Sequence, residues 1–216
     1  MKVFQALVGA LLLALASMLV GCATADLVSG RDYVRIDPAQ PVADGRQVVV
    51  AEFFWYGCPH CFDMHPRLRA WYARQPSDVA LSYQPVIARP RWEGGARLHF
   101  ALEDLGEVTR LAGAAFEAAQ LDGLDFNDPA ALLDWGERQG LNRQQFAAAL
   151  RSPAVEQRVE QARGLGDRYQ LTGVPALVVD GKYLTSNAYT GSADDTLAVL
   201  DRLVQKAREE RAQQLR

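Results

Sequence analysis

Hydrophobic positions along the chain change period twice, and the changes divide it into three parts. In the first part Tyr33-Val34-Arg35-Ile36 alternates as a short strand, and a turn-rich stretch runs from Asp37 to Gly45. Val48 to Trp55 is then a β-branched and aromatic run that predicts a buried central strand. Pro59 to about Ala73 sets Phe62, Leu68, Trp71 and Tyr72 among Arg67, Arg69 and Arg74, which predicts a helix stopped before Pro76. Val79, Leu81 and Tyr83 alternate with Ser82 and Gln84, so Val79 to Val86 reads as a strand ended or edged by Pro85.

From Arg89 to Arg163 the period is helical. Leu98 to Leu105, Val108 to Leu121, Pro129 to Arg138, Arg143 to Leu150 and Ala154 to Arg163 each read as a helix. Asp128-Pro129 and Asn142 supply starts, and Gly123, Gly140 and Gly164 supply stops. Strand character returns at Ala176 to Val179, and the turn pair Asp180-Gly181 leads into a second strand from Lys182 to Thr185, a hairpin. Ser192-Ala193-Asp194-Asp195 then caps a long amphipathic helix through about Glu210, with Leu197, Leu200, Leu203 and Val204 as its inner face.

The order β, β, α, β, helical block, β, β, α predicts an α/β fold, a mixed sheet flanked by helices with an all-helical subdomain inserted. The expected boundaries are 33–88 and 166–216 for the two parts of the sheet domain and 89–165 for the insertion.

The N-terminus differs in kind. Met1 and Lys2 give a short positive start, and Ala6 to Val20 is apolar apart from Gly9 and Ser17, too short for a comfortable membrane span and suited to a secretory signal. Leu19-Val20-Gly21-Cys22 resembles a bacterial lipobox, in which residues 1–21 are removed and Cys22 is lipidated, leaving 22–32 as a tether. Ala23-Thr24-Ala25 offers an ordinary small-x-small cleavage site instead. The lipobox is preferred because it accounts for a third cysteine that an oxidising compartment would leave as an odd thiol. Ala23, rather than an aspartate, follows the cysteine as in outer-membrane lipoproteins, and nothing else in the chain is long and apolar enough to span a bilayer.

Net charge is −3, from 23 basic residues scattered along the chain and 26 acidic ones, which indicates neither nucleic acid nor a polybasic membrane contact. Apart from Cys22 the cysteines are Cys58 and Cys61, so there is no structural disulfide framework and the pair is there for chemistry.

That chemistry is thiol–disulfide exchange. Cys58-Pro59-His60-Cys61 follows the buried run directly, a strand delivering two thiols to the start of a helix. With Pro59 at the first helical position, Cys58 takes the N-cap and Cys61 lies one turn on. Free backbone N–H groups, the helix dipole and a protonated His60 all favour a Cys58 thiolate. Cys61 is expected to be more buried and less ionised, which makes Cys58 the attacked and attacking sulfur and Cys61 its resolving partner. A zinc site is the competing reading of a Cys-x-x-Cys, but only His65 and His99 remain as plausible further ligands. Haem attachment is excluded, because Phe62 and not His follows Cys61.

With Glu52-Phe53-Phe54, Cys58-Pro59-His60-Cys61 and Thr172-Gly173-Val174-Pro175 in this order and spacing, the chain from about Tyr33 to Glu210 resembles the DsbA family of thiol–disulfide oxidoreductases, thioredoxin folds carrying a helical insertion. The resemblance implies that Pro175 is cis and sits against the active-site disulfide, and that Val174 offers its backbone to a substrate peptide. Period 2 along the strand points Glu52 into the core, where desolvation raises its pKa; in the family the matching glutamate is read as a proton relay to the second cysteine. One departure is visible. Family members often place a lysine on the neighbouring strand, yet no lysine lies between Lys2 and Lys182, which leaves Ser82 or Gln84 as the candidate to hydrogen-bond Glu52.

Trp55, Tyr56, Trp71 and Trp92 read as core or rim aromatics, and His65 and His99 as surface or packing histidines. Glu117, Asp122, Asp125, Asp128, Asp134 and Glu137 read as a solvated helical face. The resulting expectation is a periplasmic, lipid-anchored dithiol oxidase, otherwise a soluble periplasmic one, that donates its Cys58–Cys61 disulfide to exported proteins with free thiols. The family implies re-oxidation by a quinone-linked membrane partner of the DsbB kind, with no cofactor beyond the protein's own disulfide and a monomer as the default. A reductase or isomerase on the same fold, and a non-enzymatic module that holds a metal through the two cysteines, are the alternatives.

Overall fold

A computed structural model describes residues 26–42 and 46–214. The expected signal, lipobox and Cys22 lie outside the described residues. The strands are β1 (Val34–Arg35), β2 (Val48–Phe54), β3 (Val79–Pro85), β4 (Ala176–Val179) and β5 (Tyr183–Thr185), in one mixed sheet of order β1-β5-β4-β2-β3. Only β2 and β3 run parallel; β1–β5, β5–β4 and β4–β2 are antiparallel. The middle place therefore belongs to β4 and not, as expected, to the strand from Val48. β2 is one place off the middle, and sequence carries no mark of that order, because both strands are covered on two faces and read as continuous apolar runs.

The helices are α1 (Pro59–Tyr72), α2 (Glu93–Asp104), α3 (Val108–Gln120), α4 (Pro129–Arg138), α5 (Arg143–Leu150), α6 (Pro153–Arg163), α7 (Leu165–Arg168), α8 (Asn187–Thr190) and α9 (Ala193–Gln214). On one face of the sheet Val48, Val50, Leu177 and Val179 pack with Met64, Leu68 and Trp71 of α1 and Leu200, Leu203 and Val204 of α9. Trp71 is buried and donates its indole N–H to Asp201 of α9 at 2.7 Å, which locks the two helices together. Leu197 is only half-buried; Thr196, Val199 and Ala207 complete the inner face instead. Phe53 and Phe54, on opposite faces at the end of β2, belong to the core that joins the sheet to the helical block α2–α7 through Leu98, Leu102, Phe116 and Phe146.

Helix starts follow local chemistry. The Asp128 carboxylate accepts from the N–H groups of Ala130 and Ala131, the Asn142 side chain from Gln145, and the Ser192 hydroxyl from Asp195. α2 begins at Glu93, five residues before the expected Leu98, because Gly94 and Gly95 read as breakers. Gly94 is there for packing: a Cβ on it would lie 2.5 Å from the Phe126 backbone. Gly164 caps α6 where the stop is expected, and its φ of −92° lets the chain pass at once into the single turn of α7.

The β4–β5 hairpin turns through Asp180 and Gly181, both in the left-handed region, as a right-twisted two-residue turn requires. A Cβ on Gly181 would fall 2.0 Å from the Gln40 carbonyl oxygen. Gly181→Ala is therefore expected to cost about 2 kcal/mol or more, read as a lowered denaturant midpoint. An unchanged midpoint would mean that the 40–42 segment moves aside freely.

Candidate active site

β2 runs out at Phe54, and a short turn through Gly57 hands the chain to α1. Cys58 takes the N-cap with extended backbone and Pro59 the first helical position, as the spacing predicts. The Cys61 N–H donates to Cys58 Sγ at 3.4 Å, and the Cys58 thiol donates to the Val174 carbonyl at 3.4 Å. Both cysteines are free thiols here, Cys58 at the surface of the core and Cys61 without solvent contact.

Their environments push the two pKa values apart. Cys58 is held down at about 6: a hydrogen bond from the Cys61 thiol contributes most, burial opposes it, and the backbone N–H groups of Cys61 and His60 and the charge on His60 add to the lowering. Cys61 is pushed far up, by burial first and then by its neighbour's sulfur.

Glu52 is fully buried, as the period-2 argument expects, and neither carboxylate oxygen has a hydrogen-bond partner. Burial, and secondarily the Cys58 charge, raise it to about 8. The expected Ser82 or Gln84 contact does not form. In the parallel register Glu52 stands opposite Tyr83, whereas Ser82 and Gln84 pair with Ala51 and Phe53 and share a cavity with Val49 and Ala51 on the other side of the sheet. A one-residue offset along a strand puts a side chain on the opposite face. Tyr83 thus stands opposite this carboxylate in place of Ser82 or Gln84, and its hydroxyl makes no hydrogen bond to it.

Val174 and Pro175 lie across from the cysteines, joined by a cis peptide bond. His60, Thr172, Gly173, Val174, Pro175 and Asn187 line a groove of about 390 Å³ beside Cys58. Cys58, His60, Val174 and Pro175 are thus brought together at one surface, with Cys61 and Glu52 beneath it. Asn187, on the single turn α8, carried no sequence signal. Trp55 and Trp92 stack at 4.5 Å with their planes 5° apart, Arg91 lies over Trp55, and a Cβ on Gly57 would strike the Trp55 ring at 2.2 Å. Trp92 sits in a 3-10 turn with no periodic pattern to announce it.

His65 and His99 are buried, not at the surface, and act as packing residues against Phe116 and Phe54. The six acidic residues are exposed but do not form one face: Asp128 caps α4, while Asp134 and Glu137 hold Arg143. Among the described residues no group of three or more His, Cys, Asp or Glu side chains is disposed to hold a metal ion.

Residues 91–200 match the family model of the DSBA-like thioredoxin domain. The thiol:disulfide interchange protein DsbA of Pseudomonas syringae pv. tomato is 35% identical over 180 residues, 83% of this chain and 84% of that protein. The chain belongs to the DsbA family. Azotobacter vinelandii DsbA is 33% identical over 202 residues, 94% of each chain. Among solved structures, Pseudomonas aeruginosa DsbA superposes with a TM-score of 0.81 at 31% identity, covering 86% of this chain and 96% of that one. The oxidoreductase DsbA of Xylella fastidiosa gives 0.78 at 33%, covering 85% and 98%. Membership makes the chain a thiol:disulfide oxidoreductase with the thioredoxin-like DsbA fold.

Proposed function

We propose that this oxidoreductase is a periplasmic dithiol oxidase that donates its Cys58–Cys61 disulfide to exported proteins. The observation that carries the reading is the placement of Cys58 Sγ between the Cys61 N–H and the carbonyl of Val174, a residue that lines the groove. A substrate thiolate attacks Cys58 Sγ, the Cys58–Cys61 bond breaks, and Cys61 leaves and takes a proton from Glu52. The Val174 backbone and Pro175 hold the substrate segment during this mixed disulfide. A second substrate thiolate then attacks the substrate sulfur, and Cys58 leaves as the thiolate that its N-cap environment and His60 stabilise. Two electrons pass to the cysteine pair, and the substrate gains one disulfide.

A quinone-linked membrane oxidase of the DsbB kind restores the disulfide, so no further cofactor takes part. The apolar N-terminal stretch directs export, and lipidation of Cys22 tethers the mature monomer, with Ala23 favouring the outer membrane. The test is the reduction potential of a chain starting at Ala23, equilibrated against glutathione buffers. A value well above that of glutathione supports the oxidase. A value near that of thioredoxin would make the protein a reductant and overturn the direction of transfer.

A further inference from the structure

The turn that delivers Cys58 is closed by a hydrogen bond from the Cys58 N–H to the Trp55 carbonyl at 3.0 Å. Within it the Trp55 ring folds back over Gly57, so closely that a Cβ there would lie 2.2 Å from Trp55 Cζ2. Gly57 immediately precedes the N-cap of α1. The place of one indole thus bears on the angle at which the chain enters the helix.

Two partners of that ring come from outside the strand and the helix it joins. Trp92, in the 3-10 turn Pro90–Trp92 that opens the helical block, stacks on it face to face at 4.5 Å, and the Arg91 guanidinium lies 5.2 Å from its centroid. Trp92 keeps this orientation although its own indole N–H is buried without a hydrogen-bond partner. A buried donor left unpaired is costly, so this ring is held by its face and not by its edge.

Tyr56, the next residue of the turn, is pinned separately. Its carbonyl accepts from Gln120 Nε2 of α3 at 2.9 Å, and its hydroxyl lies 3.2 Å from His99 Nδ1 of α2. With Tyr56 fixed, the freedom left to the turn is the Trp55 ring and the Gly57 backbone that moves with it. Trp92 limits that freedom.

We propose that Trp92 is a positioning residue for thiol–disulfide exchange: stacked on Trp55, it holds the turn through Gly57 so that Cys58 Sγ stays between the Cys61 N–H and the Val174 carbonyl. The inserted helical block thereby acts on the reacting sulfur, although none of the described residues lining the groove beside Cys58 comes from it. The inference rests on Cys58 as the exchanging thiol and is indifferent to the direction of transfer.

A positioning ring and a merely covering ring predict opposite signs. Burial works against the Cys58 thiolate, so removing a ring that only covered the site would let its pKa fall below about 6. Removing a ring that holds the N-cap costs the sulfur its N–H groups, and the pKa rises towards 9.0.

The test titrates the thiolate absorbance of the reduced chain starting at Ala23, in which burial keeps Cys61 protonated, and compares wild type with Trp92→Ala, Trp92→Phe and Val159→Ala. Trp92→Ala is expected to raise the Cys58 pKa from about 6 to about 7. At pH 8 it is expected to lower the equilibrium constant for reduction by glutathione about tenfold, equivalent to about 30 mV. Trp92→Phe keeps a ring on Trp55 and is expected to restore most of both. Val159, buried on α6 of the same block, belongs neither to the turn nor to the stack, and Val159→Ala is expected to lower the denaturant midpoint while leaving the Cys58 titration in place. A Cys58 pKa that stays fixed or falls in Trp92→Ala, or that rises equally in Val159→Ala, overturns the positioning role and leaves Cys58 as the exchanging thiol. A phenylalanine variant no better than alanine overturns the stack as the means. A wild-type Cys58 that titrates near 9.0 overturns the N-cap reading, and the positioning role with it.

Discussion

Reduced protein is expected to gain stability over the oxidised form as the pH rises from about 6 to about 9, by roughly 1.4 kcal/mol per pH unit and on the order of 4 kcal/mol across the window. The sign follows from Cys58. Its folded pKa is depressed to about 6 from an ordinary value of 9.0, so its contribution is complete above the unfolded value and is lost as the pH falls through the folded one. Above pH 9 the slope reverses: an unfolded Cys61 ionises there, while burial keeps the folded one protonated. The desolvation that dominates the Glu52 shift comes from its place in the core of the sheet and not from the cysteines, so it is expected to cancel when one form is subtracted from the other. Guanidinium unfolding of both forms at pH 5, 7 and 8.5 measures the difference directly. A difference that stays flat through this range would show that the N-cap does not stabilise the thiolate, and the driving force for disulfide donation would go with it.

What the sequence made legible was set by how local each signal is. The N-caps at Asp128, Asn142 and Ser192 and the Asp180-Gly181 turn are decided within four residues, and they stand where expected. Cys58 is of the same kind, because the strand, Gly57 and Pro59 place it with no reference to the rest of the chain. The misses are non-local. Sheet order depends on which apolar runs pair, and Val48–Phe54 and Ala176–Val179 look alike in that respect. The partner of Glu52 depends on register with β3, and one residue decides between Tyr83 and its polar neighbours. Gly94 reads as a breaker until the Phe126 backbone is seen lying against it. His65 and His99 carry no periodic mark that separates a buried imidazole from an exposed one, since their burial comes from α3 and β2 packing across them.

Glu52→Leu is expected to make the protein more stable and less active, both by large factors. The folded pKa of Glu52 is raised to about 8 from an ordinary 4.5, so its contribution is complete below 4.5 and is lost as the pH rises through 8. At pH 7 the wild type has given up on the order of 3 kcal/mol to keep this carboxyl neutral, and leucine returns it without leaving a buried polar atom. Glu52→Gln also cannot ionise, but it keeps an amide with no partner in the same unpaired place, so it is expected to recover only part of the gain. Melting at pH 4 and pH 7 checks the sign, since the advantage of leucine grows between those values. The same substitution removes the group proposed to exchange a proton with Cys61, and disulfide donation at pH 7 is expected to slow at least about tenfold. A leucine variant no more stable than wild type at pH 7 would sink the buried, uncharged carboxyl. One that is more stable yet donates its disulfide at the wild-type rate would leave the burial argument standing and remove Glu52 from the proton transfer. A costly buried acid persisting in the core is the pattern expected where stability has been surrendered for chemistry.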